Sequence, residues 1–271
     1  MSSSKIIEIA MLSINVQNET TPETTLSEAM DCIDEQVLKG TSKFIILPEL
    51  WLTGAFVQNA FDDENVEKSI NLMNQFVSYA KSKNLIGCLG SYLFKDKNSN
   101  FLYNRLLVLD HNQNLYKYDK IHLFGHESKE SLALRAGEEI LVVDVAGIRF
   151  GFAICYDLRF PELFRKMRSE DVEVFVLSAA WPANRVAQWN KLLASRAIEN
   201  QSFVIAVNSI GLQGDTELGG NSQAVSPYGE LEPILKYSPS YHEFKIDLSI
   251  VENYRSYFMI EKDRRFSIRL N

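Results

Sequence analysis

Side chains suited to disulfide pairing or metal binding are scarce in this sequence. Three cysteines, an odd number in no metal-ligand spacing, suit a reducing cytoplasm better than a disulfide framework. Four scattered histidines form no zinc motif. No glycine-rich phosphate loop is present, so neither a nucleotide nor a metal cofactor is expected. Acidic residues outnumber basic ones, 35 to 28, and no basic cluster offsets the net charge of −7, which argues against a nucleic-acid partner. No apolar run approaches bilayer length, and the opening Met1-Ser2-Ser3-Ser4-Lys5 leads into a strand rather than a signal peptide. A soluble, cytoplasmic protein without a membrane partner is the expectation. The composition is otherwise ordinary for a globular chain: 46% apolar and 23% charged over 271 residues, enough for a large core.

Strands alternate with helices in two blocks separated by a strand-rich centre. Ile6 to Asn15 reads as a first strand, apolar on both faces. Thr25 with Glu28 resembles a capping box, Leu26, Met30, Ile33 and Val37 fall at helical spacing, and Gly40 stops that helix. Lys43–Leu47, the helical stripe from Val66 to Ala80 and Leu85–Tyr92 follow, then a hairpin of Tyr103–Leu109 and Leu115–Asp119. Cys32 and Cys88 read as packing residues. The second block holds an apolar strand pair at Val145–Ile154, a helix at Pro161–Glu170, strands at Val174–Leu177 and Phe203–Asn208, and a helix at Val186–Asn200. The glycine-rich Gly211–Asn221 reads as a loop, Gln223–Val225, Glu230–Pro233 and Tyr241–Asp247 as strands, and Ile250–Phe258 as a short helix. No Pro/Gly/Ser linker divides the blocks, so residues 1–271 are expected to form one α/β domain with two βαβ-type halves around a shared core.

Three strands end in side chains capable of chemistry: Glu49, Lys120 and Cys155. A lone cysteine among apolar residues is ordinarily inert, and a glutamate or lysine at a strand end is ordinarily solvated. Together, however, they supply a base, a cation and a nucleophile at the same kind of strand terminus, where ligands of open α/β sheets bind. His122 and His126 offer a rival, a Cys–His hydrolase, although nothing else in the chain supports it. Asp157, Arg159 and Glu162, just behind the cysteine, read as an ion-pair network fixing its turn, and Arg196 with Glu199 as structural.

Four motifs now accumulate in order: Leu47-Pro48-Glu49-Leu50, Tyr118-Asp119-Lys120-Ile121-His122-Leu123-Phe124, Ile154-Cys155-Tyr156-Asp157-Leu158-Arg159-Phe160-Pro161-Glu162 and Ser195-Arg196-Ala197-Ile198-Glu199-Asn200. Through them nearly the whole chain resembles the nitrilase, or carbon–nitrogen hydrolase, superfamily. The resemblance implies an α-β-β-α sandwich, commonly paired as a homodimer through its sheet-flanking helices. It carries the family's Glu-Lys-Cys triad onto Glu49, Lys120 and Cys155. A second family glutamate falls on Glu130, seven residues before Gly137, with Glu127 as the competing assignment.

Amide cleavage needs a nucleophile, an oxyanion holder and a proton for the departing amine. Cys155 fits the first role and Glu49 the proton carrier. Lys120 with the backbone N–H of Tyr156 fits the oxyanion holder, and a nearby ammonium is expected to favour the thiolate. Glu130 is expected to position the lysine or the attacking water. In the loop Ala179–Arg185, Trp181 is expected to wall the substrate, and Arg185 either pairs with a substrate carboxylate or is solvated at a helix start. The Trp181-Pro182 pair, the cysteine motif and the lack of large insertions are most similar to the ω-amidase branch, which acts on 2-oxoglutaramate and 2-oxosuccinamate. Other amidases and N-carbamoyl amidohydrolases of the superfamily are alternatives. A noncatalytic binding module on this scaffold would be expected to lack a triad member, and an amidotransferase would need a fused synthetase domain.

Overall fold

The computed structural model describes residues 5–16, 20–39, 43–125 and 129–266. Its strands are β1 (Ile6–Leu12), β2 (Phe44–Ile46), β3 (Ile86–Lys95), β4 (Leu102–Leu109), β5 (Leu115–Asp119), β6 (Leu141–Val145), β7 (Ile148–Ile154), β8 (Val174–Ala179), β9 (Phe203–Asn208), β10 (Ile210–Gln213), β11 (Thr216–Gly219), β12 (Gln223–Val225), β13 (Lys236–Ser238) and β14 (Tyr241–Asp247). The helices are α1 (Pro22–Cys32), α2 (Asp63–Ser82), α3 (Glu130–Ala133), α4 (Pro161–Arg168), α5 (Val186–Asn200), α6 (Ser249–Tyr257) and α7 (Ile260–Asp263). None of these helices is long and apolar enough to cross a membrane.

Two sheets form the centre, ordered β13-β14-β1-β2-β3-β4-β5 and β12-β9-β8-β7-β6. In each, three parallel strands lie in the middle and antiparallel strands extend them outward. The parallel triplets are successive βαβαβ units, β1-α1-β2-α2-β3 and β7-α4-β8-α5-β9, as the two-block pattern predicts. Strand alternation explains the layers. On β1, Ile9 and Met11 join the core shared with the second sheet, while Ala10 and Leu12 face the α1–α2 layer. Phe44 of β2 stacks on Phe150 of β7 with ring centroids 4.4 Å apart, directly bridging the sheets. Leu163, Phe164, Trp189 and Leu193 bring α4 and α5 onto the outer side of the second sheet, completing the α-β-β-α sandwich.

Several local expectations are corrected. The cap of α1 is Thr21, whose Oγ1 accepts from Thr24 N at 3.2 Å, with Pro22 at the first helical position; Thr25 is already inside the helix. The helix continues as a π-helical turn over Ile33–Val37, and Gly40 lies outside the described residues. Residues 211–221 are not an open loop: β10 and β11 pair through a two-residue Gly214-Asp215 turn, with Gly214 at φ +57°. Glu230–Pro233 makes only a single bridge, Leu231 to Val225, because Pro233 has no N–H to extend a ladder. β13 was not foreseen; it is a short, polar edge strand.

Candidate active site

Glu49 stands three residues beyond β2 on a tightly pinned turn. Ser178 Oγ donates to Leu47 O at 2.7 Å, Ser91 N to Pro48 O at 3.1 Å, and Leu50 N to Ser91 Oγ at 3.0 Å. Gly90 allows this approach, since a Cβ there would lie 2.5 Å from the Pro48 carbonyl oxygen. Lys120 directly follows β5. Its N–H donates to Asn104 O and its carbonyl accepts from Gly137 N, both at 2.9 Å. Cys155 directly follows β7, at φ +43°, and opens a 3₁₀ turn that runs to Arg159. A non-glycine residue in the left-handed region is strained and needs its surroundings to hold it. Asp157 does so: its carboxylate accepts from Ile154 N (2.9 Å), Tyr118 OH (2.7 Å) and His122 N (3.0 Å), with His122 Nδ1 at 2.8 Å.

The fold brings the expected groups together. Lys120 Nζ lies 2.8 Å from Glu49 Oε1 and 3.0 and 2.8 Å from the two carboxylate oxygens of Glu130. Ala180 N donates to Glu49 Oε2 at 3.0 Å, and Phe124 N to Glu130 Oε2 at 2.8 Å. Asn104, which sequence reasoning missed, donates through Nδ2 to Glu49 Oε1 (2.9 Å) and Glu130 Oε1 (3.1 Å). The sequence signal is weak: Asn104 is followed by Arg105 in β4, so its polarity does not stand out, and only its burial shows that it requires partners. Glu127 and His126 lie outside the described residues.

Burial opposes the charge on Lys120, but Glu130, Glu49 and Cys155 more than reverse this and hold the ammonium well above the usual lysine range. Burial pushes the Glu130 carboxyl up against the pull of Lys120. Burial, then the charge of Glu49, holds the Cys155 thiol well above its usual range, outweighing Lys120. The ammonium does favour the thiolate, as expected, but burial and the charge of Glu49 outweigh it. The resting sulfur keeps its proton, and a base is needed to remove it.

Cys155 opens onto two small adjoining recesses, which share Phe56, Phe124, Cys155 and Ala180. Glu49, Lys120 and Glu130 line one; Tyr156, Trp181, Arg159 and Arg185 line the other. Trp181 is fixed by N–H donation to Asn208 Oδ1 (2.6 Å) and by its indole N–H to Arg185 O (3.0 Å). The guanidinium of Arg185 lies 5.5 Å from the Phe124 ring centroid, and that of Arg159 lies 4.9 Å from the Trp181 ring.

Arg159 thus departs from the expected ion-pair network. Three residues per 3₁₀ turn point Asp157 inward and Arg159 elsewhere, where it donates to Gln188 Oε1 at 2.7 Å, while Glu162 is exposed. Arg196 braces the turn from behind through Leu158 O (3.1 and 2.8 Å) and pairs with Glu199 at 3.0 Å. His122 is committed to Asp157 and stacks on Phe160 with centroids 3.7 Å apart, which removes the motive for a Cys–His pair. Among the described residues, no group of three or more His, Cys, Asp or Glu side chains is arranged to hold a metal ion.

Comparison with known proteins agrees with this geometry. The family described as carbon-nitrogen hydrolase matches residues 8–254. A 2-oxoglutaramate amidase of Paenarthrobacter nicotinovorans is 30% identical over 269 residues, covering 97% of this chain and 90% of that protein. A 2-oxoglutaramate amidase of Bacillus subtilis is 35% identical over 188 residues, covering 69% of this chain and 71% of that protein. Among solved structures, XC1258 from Xanthomonas campestris, a CN-hydrolase superfamily protein with an arsenic adduct in its active site, superposes with a TM-score of 0.82 at 26% identity. That alignment covers 97% of this chain and 99% of the other.

Proposed function

The chain belongs to the carbon–nitrogen hydrolase family, and from that premise we propose that it hydrolyses the terminal amide of a small 2-oxo acid, 2-oxoglutaramate or 2-oxosuccinamate, at Cys155. The observation that carries this reading is the position of Cys155 between a carboxylate–ammonium cluster and a recess edged by two guanidiniums. The first supplies acid–base chemistry. The second suits the carboxylate of an anionic substrate, which planar guanidiniums bind well.

In this reaction Glu49 accepts the proton of the Cys155 thiol as the sulfur attacks the amide carbon. The carbonyl π electrons move to oxygen, where the Lys120 ammonium and the Tyr156 backbone N–H hold the charge. Collapse of the tetrahedral intermediate breaks the C–N bond, and Glu49 passes its proton to the departing nitrogen, releasing ammonia and leaving a thioester. Water, deprotonated by Glu49, then attacks the thioester; the acid leaves and the thiol is restored. Glu130 acts as the fixed counter-ion of Lys120. Trp181 walls the substrate, and Arg159 joins Arg185 as its carboxylate partner.

The test is ammonia release from 2-oxoglutaramate against simple amides, nitriles and N-carbamoyl amino acids. Preference for 2-oxoglutaramate is expected. A higher kcat/KM for a nitrile or carbamoyl compound would sink the substrate assignment while sparing the nucleophile. The same reading places the enzyme in a cytoplasm, in keeping with its three free cysteines, and pairs it as a homodimer. Ile198 of α5, Tyr228 and Phe258 are exposed, with the Tyr228 and Tyr254 rings 4.6 Å apart and those of Tyr254 and Phe258 6.1 Å apart. Sedimentation should give twice the chain mass, and Ile198→Glu should reduce it.

A further inference from the structure

We propose that Asn104 is a positioning residue that divides labour between the two buried glutamates, making Glu49 the proton acceptor and Glu130 a carboxylate that takes up no proton. The inference rests on the amidase reading above, in which Glu49 is the base.

An ionised carboxylate offers about four acceptor positions, two on each oxygen. Glu130 Oε1 accepts from Lys120 and Asn104, and Glu130 Oε2 from Lys120 and Phe124 N, so its positions are filled. Glu49 Oε1 accepts from Lys120 and Asn104, and Oε2 accepts from Ala180 N. One acceptor position is left over, on Glu49 Oε2. Cys155 and Glu49 line the same recess, and the Cys155 thiol is the proton donor that this open position is left to serve. During acylation the Sγ–H bond breaks, the proton forms an O–H bond at Oε2, and the sulfur electron pair forms the C–S bond. Without Asn104, each glutamate would regain an open position at Oε1, and the proton would have three places to go.

The amide itself shows how firmly its orientation is set. Asn104 is fully buried, and its Oδ1 has no hydrogen-bond partner among the described residues. Turning the amide over would press that oxygen against two carboxylates, so it stays unpartnered while both N–H groups are donated. The donor is also neutral, so it orients two carboxylates without adding a second cation to the cluster. The titratable groups around it are Glu49 beyond β2, Lys120 beyond β5, Glu130 of α3, and Cys155 beyond β7, which couples to Lys120. Asn104 lines neither recess and so is placed to act only through the glutamates.

The experiment compares wild type, Asn104→Asp and Glu49→Gln as full-length protein, with kcat and KM for 2-oxoglutaramate measured across pH. Asn104→Asp keeps the shape but turns the double donor into a third carboxyl. We expect kcat to fall by about 100-fold, as for a misplaced catalytic group, with KM within about twofold of wild type. The acid limb of the kcat profile should move upward by about one pH unit, because a neighbouring like charge makes the cluster hold a proton longer. Unchanged kcat and profile in folded Asn104→Asp, or a rise in KM alone, would overturn the proposal. If Asn104→Asp does not fold, Asn104→Ser, which keeps one donor, takes its place. Should neither regain the native near-UV spectrum, Asn104 is a folding residue and the proposal falls. Glu49→Gln separates the two levels. An inactive Glu49→Gln beside a wild-type-like Asn104→Asp defeats this inference alone, whereas an active Glu49→Gln defeats the amidase reading beneath it.

Discussion

The two recesses meeting at Cys155 are built on opposite principles. On the Glu49 side, two carboxylates, an ammonium and an amide lie within hydrogen-bond distance of one another, buried and held by backbone N–H groups. On the Trp181 side, two guanidiniums lie over aromatic faces, with no acidic residue lining that recess. A buried cluster of this kind, with one more carboxylate than ammonium, moves a proton between set positions and tolerates little displacement. Cations lying on aromatic rings are weakly hydrated and present a planar fork to an incoming anion. Under the proposed function, chemistry and recognition are separable, and substitutions on the two sides should fail in different ways.

The largest effect should come at the shared point. Cys155→Ala should lower amide hydrolysis by about 10⁴-fold or more with the fold intact, measured as ammonia release beside a thermal melt; residual wild-type turnover would remove the nucleophile assignment. Next is the cluster itself. Lys120→Met strands two buried carboxylates, and should cost about 3–5 kcal/mol of stability in addition to a kcat loss of about 10²–10³-fold. On the recognition side, Arg159→Met should raise KM for 2-oxoglutaramate by about 10- to 100-fold and leave turnover of a neutral amide unchanged. Equal losses on both substrates would abolish the proposed division. His122→Asn should change kcat by less than about tenfold, because the ring only helps Asp157 hold the turn; near-complete loss would revive the Cys–His alternative.

The smallest effect is a pH dependence of stability. The folded Cys155 thiol keeps its proton at pH values where an unfolded thiol releases it. Its contribution is therefore full below the ordinary thiol range and is lost as pH rises through and above that range. Thermal melts of wild type should fall more steeply than those of Cys155→Ser on the alkaline side; parallel curves would contradict the raised thiol.

The two sides also differed in how far they could be read from sequence. Glu49 and Cys155 were legible because each follows an apolar strand of a parallel triplet, whose ends face ligands, and Lys120 because it closes the Leu115–Asp119 strand of a recognisable hairpin. Helix α5 and strand β9 were legible to the residue, since their apolar spacing is unambiguous. Asn104 was not, because beside Arg105 it reads as an ordinary polar position, and nothing in the sequence tells which distant carboxylates it will meet. Arg159 was misread for a related reason: adjacency to Asp157 in sequence suggested a pair, while the 3₁₀ turn sent the two side chains apart. The Gly214-Asp215 hairpin was missed because turn residues without long apolar flanks look like loop.

Periodicity, strand-end chemistry and four ordered motifs were enough to establish two α/β halves, a sandwich and the candidate nucleophile, because these are properties of short, contiguous stretches. The assignment of hydrogen bonds, the raised thiol and the cationic recess were decided only in three dimensions. They depend on burial and on distances between groups separated by up to 131 residues, as between Glu49 and Ala180, and electrostatic coupling at those distances does not exist until the chain folds.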